Sequence, residues 1–321
     1  MTPLRVVVVG GGSWGSVFAA LLAERGHEVT LACRDADQAR AIAETGRNPR
    51  YLSEADLGGV AAATLDEAAV GEAQLIVLAV PSRAFRAVAG SLVGNAPVLS
   101  LTKGLDPETG SRLSEVVQGR PVAVLSGPNH AEEIAQGLPA AAVISSADQE
   151  LSTRLQHAII STRYRVYVND DLVGVELAAA AKNVMALAAG GVDGFGFGDN
   201  AKSALITRGL SEMARLGVAS GARGETFSGL AGMGDLIVTC FSRYSRNRRA
   251  GELIALGRTP EEAQAEIGMV VEGLTTAPVL RELARRVGVE LPITEAICEV
   301  LDGTSALDLV SGLMSRTPTD E

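Results

Sequence analysis

The segment Leu4–Gly15, LRVVVVGGGSWG, decides the fold of this chain. Its first six residues are nearly all branched and apolar, which is typical of a strand buried on both faces of a parallel sheet. The glycines that follow fit the pattern G-x-G-x-x-G and open a helical stretch that ends near Arg25 and Gly26. A strand, a glycine-rich turn and a helix in this order predict the first unit of a dinucleotide-binding sheet.

Each glycine of this turn has its own predicted function. Gly10 allows the tight turn, Gly12 lets a pyrophosphate approach the backbone, and Gly15 lets the helix pack closely on the strand. The N-terminus of the helix then offers free N–H groups and a partial positive charge to a diphosphate. Glycine-rich turns also occur for steric reasons alone, so the flanking strand and helix are what favour a dinucleotide site.

The end of the second predicted strand bears on the choice of dinucleotide. An NAD enzyme commonly places an acidic residue there, on the ribose 2′-hydroxyl, but this chain has Cys33-Arg34-Asp35. Arg34 can pair with a 2′-phosphate, which favours NADP(H), while the neighbouring Asp35 keeps NAD(H) open. The single tryptophan, Trp14, is expected either to pack beneath the glycine-rich turn or to contact the cofactor.

The two halves of the chain differ in pattern. In the first half, strand-like runs alternate with Ala-rich helical stretches, which predicts β-α-β units around a mostly parallel sheet. The predicted strands are Leu4–Val9, His27–Cys33, Leu75–Val80, Pro97–Leu101, Val122–Leu125, Ala140–Ile144 and, at a sheet edge, Tyr164–Val168. After Asn169 apolar residues recur at helical spacing, as in Asp171–Ala189, Asn200–Leu216 and Glu272–Val287. We therefore expect an α/β protein with a Rossmann-like domain at 1–169 and an all-α domain at 170–321.

Composition narrows the classes of function. A length of 321 residues suits two domains, and 47% hydrophobic with 21% charged residues is typical of a soluble globular protein. The three cysteines, Cys33, Cys240 and Cys298, are too far apart for a disulfide framework or a metal motif. The apolar start is too short for a signal peptide, so a cytoplasmic protein is expected. A net charge of −10 opposes binding to nucleic acid or anionic membrane, so an anionic ligand requires a local basic site.

Several later motifs place polar residues among glycines and alanines. They are Ser100–Gly104 (SLTKG), Ser126–Glu133 (SGPNHAEE), Ala180–Asn183 (AAKN), Gly232–Leu236 (GMGDL), Arg243–Asn247 (RYSRN) and Val270–Gly273 (VVEG). With these motifs in this order, the chain resembles the bacterial NAD(P)-dependent glycerol-3-phosphate dehydrogenases over essentially its whole length. The resemblance implies an enzyme that interconverts glycerone phosphate and sn-glycerol 3-phosphate with NAD(P)H, and so supplies glycerol 3-phosphate for glycerophospholipid synthesis.

Lys182 is the candidate for proton transfer. A lone lysine in an Ala-rich helix is more often a surface side chain with a solvated ammonium. Reduction of a ketone by hydride, however, leaves an alkoxide that needs a proton donor, and the reverse reaction needs a base. Burial among alanines and a second cation, such as Lys103, both favour a neutral lysine. The resemblance implies that Lys182 transfers the proton and that Lys103 lies between cofactor and substrate.

A basic segment is the candidate phosphate site. Four arginines fall within seven residues of this acidic chain: Arg243, Arg246, Arg248 and Arg249. A solvated helix start, capped by Ser245, accounts for Arg243, Arg248 and Arg249. For Arg246, a guanidinium beside helix N–H groups suits a phosphate. The resemblance implies substrate contacts at Ser245, Arg246 and Asn247.

The remaining candidate residues follow from the resemblance. It implies further substrate contacts at Gly127 and Asn129 and cofactor contacts at Ser13, Tyr51, Ala131, Arg246, Val270 and Glu272. Asp235 is expected to bond a substrate hydroxyl or to orient Lys182, unless it only caps a turn. The family usually has Gly-Pro-Ser or Gly-Pro-Thr before an aromatic residue, where this chain has Asn129-His130. Asn129 can still donate and accept hydrogen bonds, and His130 is not expected to be the general acid.

Two other interpretations remain open. A β-hydroxyacid dehydrogenase or a ketopantoate-type reductase also pairs a Rossmann domain with a helical domain and a catalytic lysine. The chain could instead be a non-catalytic NADP-binding redox sensor, although Lys103, Lys182 and Asp235 argue against that. The basic segment favours a phosphorylated substrate. We also expect a homodimer, because an Ala-rich helical domain offers surface for one.

Overall fold

The structure, a computed structural model, describes residues 2–305 and residue 307. These residues contain one sheet of 8 strands in the order β3-β2-β1-β4-β5-β6-β7-β8. The strands are β1 (Arg5–Val9), β2 (Glu28–Cys33), β3 (Val60–Thr64), β4 (Leu75–Leu78), β5 (Val98–Ser100), β6 (Val122–Ser126), β7 (Ala140–Ser146) and β8 (Tyr164–Val168). Of these neighbouring pairs only β6 and β7 run antiparallel, which confirms the predicted mostly parallel, Rossmann-like sheet.

Helices connect many of the strands, and helices also form most of the described chain after β8. The first set is α1 (Ser13–Glu24), α2 (Ala36–Thr45), α3 (Ser82–Ser91), α4 (Leu113–Val116), α5 (Ala131–Ala135) and α6 (Gln149–Ile159). The second set is α7 (Leu172–Gly194), α8 (Gly198–Ala219), α9 (Gly224–Phe227), α10 (Asp235–Phe241), α11 (Arg246–Ala255), α12 (Pro260–Ile267), α13 (Glu272–Val287) and α14 (Pro292–Leu301). A π-helical turn at Leu230–Gly234 runs directly into α10. The helical second half is thus as predicted.

One strand was not predicted from the sequence. Strand β3 reads VAAAT and pairs with β2 at the edge of the sheet. Alanine favours strands less than branched or aromatic residues do, so this segment gives almost no strand signal of its own. Its conformation is decided by hydrogen bonding to β2 rather than by local preference. The other seven strands match the predicted runs, and β8 lies at the opposite edge, as expected.

The sheet is covered on both faces, which explains its nearly continuous apolar strands. Phe18 of α1 and Leu155 of α6 pack on one face, and Phe85 of α3 packs on the other. In this arrangement the carboxyl ends of β1, β4 and β5 meet at one edge of the sheet. The glycine-rich turn and Lys103 follow those ends, so the topology brings them to the same side of the molecule.

Helix α7 is the centre of the second half. It is long and apolar enough to span a membrane by length and composition alone, with a mean hydropathy of 1.5, but 89% of that window is buried within the protein. It is therefore a core helix. Gly190 of α7 and Gly251 of α11 face each other's helices: a Cβ on Gly190 would overlap the Arg248 carbonyl, and one on Gly251 would overlap that of Leu187. The two backbones are thus in direct contact.

The join between the halves is short. Strand β8 ends at Val168 and α7 begins at Leu172. Asp171 caps α7 by accepting a hydrogen bond from the Gly174 N–H at 2.9 Å, and its other oxygen accepts from the Thr226 hydroxyl at 2.6 Å. We propose that the first domain ends here, at Asn169. The expected end of the second domain, residue 321, lies outside the described residues.

Candidate active site

A cleft of about 730 Å³ extends from the glycine-rich turn to the N-terminal ends of α10 and α11. Both halves of the chain line it. Among its lining residues are these predicted ones: Gly10, Gly12, Ser13, Trp14, Gly15, Arg34, Tyr51, Lys103, Asn129, Ala131, Lys182, Asp235, Ser245, Arg246, Asn247, Val270 and Glu272. Gly127 does not line the cleft, but its carbonyl accepts a hydrogen bond from the Lys103 ammonium at 2.8 Å.

The glycine-rich turn is shaped to receive a diphosphate. Gly10 has a φ of +118°, and a Cβ there would overlap the Ala79 carbonyl. Gly12 occupies the N-cap of α1 without a side-chain cap, so the first N–H groups of the helix have no side-chain acceptor. Open space surrounds the position that a Gly12 Cβ would take. These residues fit the pyrophosphate of a dinucleotide, held by backbone N–H groups.

The end of the cleft beside β2 contains the exposed guanidinium of Arg34 and the hydrogen-bonded carboxylate of Asp35. Arg34 is exposed and has no hydrogen-bond or ion-pair partner among the described residues. Asp35 caps α2 through Oδ1, which accepts from Asp37 N at 2.9 Å, and its Oδ2 lies 3.7 Å from Arg50 Nη1. Arg50, which was not predicted, also lies 5.4 Å from the centre of the Tyr51 ring. Asp35 is therefore less free than Arg34 to meet a ligand.

The proton-transfer candidate lies at the bottom of the cleft. Lys182 is buried on α7, with its Nζ 3.1 Å from Asp235 Oδ1 and donating to Thr239 Oγ1 at 2.8 Å. The other carboxylate oxygen, Asp235 Oδ2, accepts from Lys103 Nζ at 2.7 Å. One buried carboxylate thus lies between two ammonium groups, one on each half of the chain.

Burial and charge set the pKa values of this group. Burial lowers the pKa of Lys182 to about 8, and the Lys103 ammonium acts in the same direction, whereas Asp235 partly opposes them. Burial alone would raise the pKa of Asp235, but the two ammonium groups more than offset it and hold that pKa below its usual value. Asp235 is therefore ionised at neutral pH. Lys182 can gain or lose a proton near pH 8, which a general acid and base requires.

Two further polar residues support this group and were not predicted. Thr239 donates its hydroxyl to the Asp235 carbonyl at 2.6 Å, which leaves its oxygen to accept from Lys182. Asn183 donates to the Lys103 carbonyl at 3.0 Å and accepts from Asn247 at 2.9 Å. The sequence carried a signal for each. Thr239 follows Asp235 by four residues, on the same helix face, and Asn183 is next to Lys182.

The basic segment forms the N-terminus of α11. Ser245 caps this helix, with its hydroxyl accepting from Arg248 N at 3.2 Å, and Arg246 is exposed in the first turn. The guanidinium of Arg246 donates to the Val270 carbonyl at 3.1 Å. The Ser245 cap occupies the N–H of Arg248, so the N–H groups of Arg246 and Asn247 and the guanidinium of Arg246 are the donors that this helix start can offer to an anion.

The expectation of a solvated Arg248 is wrong. Its side chain is only 17% exposed and pairs with Asp193 at 2.6 Å. Its Nε also donates to the Ser242 carbonyl at 3.2 Å, and so holds the segment that leads into α11. A half-buried carboxylate from another helix is not visible in a local charge pattern. Arg243 and Arg249 are exposed, as the interpretation of a solvated helix start requires.

Glu272 joins α13 to α3 beside the cleft. Its Oε1 accepts from Ser82 N at 3.1 Å and its Oε2 from the Ser82 hydroxyl at 2.6 Å. Burial raises the pKa of Glu272, although the bonds from Ser82 oppose that shift. The carboxyl group thus already has two partners from the first half of the chain, and it contributes to holding the two halves together.

Two aromatic side chains lie between core and cleft. Trp14 is half-buried, packs edge-on against Phe18 with 5.5 Å between ring centres, and also lines the cleft, so both expected functions are compatible with its position. His130 Nε2 lies 3.5 Å from the Val238 carbonyl. Burial, and then the positive charge of Lys182, lower the pKa of His130 to about 4. A neutral imidazole at physiological pH is a poor general acid.

Comparisons with known proteins agree with this geometry. Two family models match the chain: the N-terminus of NAD-dependent glycerol-3-phosphate dehydrogenase over residues 5–152 and its C-terminus over residues 171–310. A glycerol-3-phosphate dehydrogenase [NAD(P)+] of Moorella thermoacetica is 48% identical, and the alignment covers 98% of this chain and 97% of that protein. The crystal structure of glycerol-3-phosphate dehydrogenase from Coxiella burnetii has a TM-score of 0.93 at 36% identity, covering 98% of this chain and 99% of that one.

The ketopantoate reductases, an enzyme class that the sequence left open, have a similar fold. The solved one from Ralstonia eutropha has a TM-score of 0.61 at 19% identity, covering 93% of this chain and 97% of that one. Such a likeness shows a shared fold and no more, whereas both dehydrogenase models and the Moorella protein match along nearly the whole chain. The chain therefore belongs to the NAD-dependent glycerol-3-phosphate dehydrogenase family.

Proposed function

We propose that this protein reduces glycerone phosphate to sn-glycerol 3-phosphate and catalyses the reverse oxidation, with NADP(H) or NAD(H). The observation that carries the proposal is the buried Asp235 between Lys103 and Lys182, in the same cleft as the glycine-rich turn and Arg246. A proton carrier, a dinucleotide turn and an anion site in one cleft match what this reaction requires. Because the product of the reduction is glycerol 3-phosphate, we also propose that the protein supplies this compound for glycerophospholipids in the cytoplasm.

The residues of the cleft divide the chemistry among them. When bound, the nicotinamide supplies or takes up the hydride at the substrate's C2. In reduction Lys182 donates a proton to the C2 oxygen, and in oxidation it removes the hydroxyl proton. Asp235 and Thr239 fix the Lys182 ammonium from two directions. Lys103, which is held by Asp235 and the Gly127 carbonyl, adds positive charge where the oxyanion develops.

A turnover assay tests this proposal directly. Purified protein should oxidise NADPH, followed by its absorbance, when glycerone phosphate is added. Ketopantoate serves as the control substrate for the other enzyme class. Faster turnover of ketopantoate would contradict the proposed substrate, and cofactor binding without turnover of either compound would favour a binding protein.

The phosphate site gives a prediction with an internal control. We expect Arg246→Ala to weaken apparent binding of glycerone phosphate by about 2 kcal/mol or more, because it removes a charge-assisted bond. That loss corresponds to a rise in KM of about thirtyfold. Arg243→Ala removes an equal charge from an exposed position over the Tyr244 ring and should change KM little. Similar effects of both variants would show that the segment contributes only general positive charge.

Cofactor preference gives a second prediction. We propose that Arg34, which has no partner among the described residues, pairs with the 2′-phosphate of NADP(H), while Asp35 is occupied at the start of α2. Arg34→Ala should weaken NADPH binding about tenfold and NADH binding much less, as measured by quenching of the single tryptophan, Trp14. Arg47→Ala is the control, since Arg47 bonds the carbonyls of Ser53 and Glu54 instead. Equal losses for both cofactors would remove Arg34 from the choice between them.

We also propose a homodimer. The solvent-facing side of α10 carries Ile237 and Phe241, which are 45% and 50% exposed and lie one helical turn apart. Apolar side chains clustered on a surface are typical of a contact with another protein. Sedimentation equilibrium would test this proposal, and a monomer at micromolar concentration would contradict it.

A further inference from the structure

Asn129 has an unusual hydrogen-bonding state. Its Oδ1 accepts from the Tyr164 hydroxyl at 2.9 Å, but its Nδ2 is buried and has no hydrogen-bond partner among the described residues. A buried donor without a partner is destabilising, because it has lost its hydrogen bond to water. Asn129 lines the same cleft as Lys182 and Asp235, so a ligand bound there is the natural acceptor for this N–H group.

Tyr164 determines which end of the amide is free. The residue is fully buried in β8, and burial, with a smaller contribution from the Asp235 charge, raises the pKa of its hydroxyl well above the ordinary value. The hydroxyl therefore stays protonated, and the amide oxygen is the acceptor that the described residues offer to it. With its oxygen turned toward Tyr164, the amide turns its NH2 group away from that hydroxyl.

The segment that carries Asn129 is itself held in place. The carbonyl of Gly127, two residues earlier, accepts from Lys103 Nζ, and Lys103 is held by Asp235. The Tyr164 ring lies against Trp14, with 6.4 Å between ring centres. The backbone two residues before Asn129 is thus held by Lys103, and the Asn129 side chain is held by Tyr164, which packs against the half-buried Trp14.

We propose that Tyr164 is a positioning residue that locks the Asn129 amide, so that Nδ2 donates a hydrogen bond to an oxygen of the bound three-carbon phosphate. This inference rests on the proposed function. A serine or threonine hydroxyl at this position would rotate freely and could donate or accept. An amide held in one orientation offers its NH2 group to the ligand, which favours a carbonyl or hydroxyl oxygen as the partner.

A double-mutant cycle between Tyr164 and Asn129 tests the lock. The four proteins are the wild type, Tyr164→Phe, Asn129→Ser and the double variant. Binding is measured by calorimetry of sn-glycerol 3-phosphate added to the NADPH-saturated enzyme. Both ligands are then reduced, so no turnover occurs and the measurement is independent of activity. Tyr167→Phe is the control, because Tyr167 lies on the same strand with its side chain exposed.

The expected result is a coupling between the two positions. Tyr164→Phe should weaken binding about threefold to tenfold in the wild-type background, the usual loss for one hydrogen bond. In the Asn129→Ser background the same change should have less than about a twofold effect, because a hydroxyl needs no lock. Tyr167→Phe should change nothing. Quenching of Trp14 by NADPH checks that each variant is folded.

The outcomes separate this inference from the proposed reaction. Equal losses from Tyr164→Phe in both backgrounds would show that Tyr164 only packs and would overturn the lock. No effect of Tyr164→Phe in a folded wild-type background would do the same. If the cycle shows coupling but glycerone phosphate is not reduced, the lock stands and the proposed reaction fails. If glycerone phosphate is reduced but the cycle shows no coupling, the proposed reaction stands and the lock fails.

Discussion

Replacing Lys182 by alanine is expected to lower kcat by about a hundredfold to ten-thousandfold, the usual contribution of a general acid or base. This loss amounts to about 3–5 kcal/mol of transition-state stabilisation. NADPH binding, measured by Trp14 quenching, should remain nearly unchanged. Lys182→Arg should not restore activity, because a guanidinium does not release its proton near neutral pH.

The pH dependence of kcat/KM gives a second test of Lys182 as the proton carrier. Oxidation of sn-glycerol 3-phosphate requires a neutral Lys182, so kcat/KM should rise with pH through the lysine pKa of about 8. Reduction requires the protonated form and should fall over the same range. Both limbs should be absent from the residual activity of Lys182→Ala. A folded Lys182→Ala variant that kept a third or more of the wild-type kcat would place the proton carrier elsewhere, and His130 would be tested next.

Asp235→Asn is expected to have the other large effect. The variant keeps the shape of the side chain but leaves the buried Lys182 ammonium and the half-buried Lys103 ammonium without their shared counter-charge. Removing one partner of a buried ion pair typically costs about 3–5 kcal/mol of stability. Because Asp235 raises the pKa of Lys182, its loss should also lower that pKa further. The rising limb of the oxidation profile should therefore move to lower pH, in addition to a large fall in kcat.

A surface aspartate provides the control for that variant. Asp37 is 88% exposed and pairs with Arg40 on the same helix, so Asp37→Asn should change neither stability nor the pH profile appreciably. Chemical denaturation and the pH dependence of kcat/KM measure the two effects. If Asp235→Asn left the oxidation limb in place, Asp235 would have no electrostatic influence on the titrating group.

How much of this site the sequence could predict depends on the range of each interaction. The glycine-rich turn is a local pattern, so the sequence was enough to predict its strand, turn and helix. Lys182 and Asp235 are far apart in sequence, so spacing alone said nothing about their contact, and only the family resemblance associated them. The half-buried pairing of Arg248 with Asp193 was missed for the same reason. Strand β3 was missed because its alanines form a strand only beside β2.

The contact between α7 and α11 has a consequence for the geometry of the cleft. Helix α7 carries Lys182, the proposed proton donor, and α11 begins at Arg246, the proposed phosphate ligand, and the two backbones touch at Gly190 and Gly251. A side chain at either glycine would push the two backbones apart, because each ideal Cβ would overlap a carbonyl oxygen of the other helix. We therefore expect Gly190→Ala or Gly251→Ala to shift Arg246 relative to Lys182, so these two glycines would fix the relative position of two cleft residues without contacting a ligand themselves.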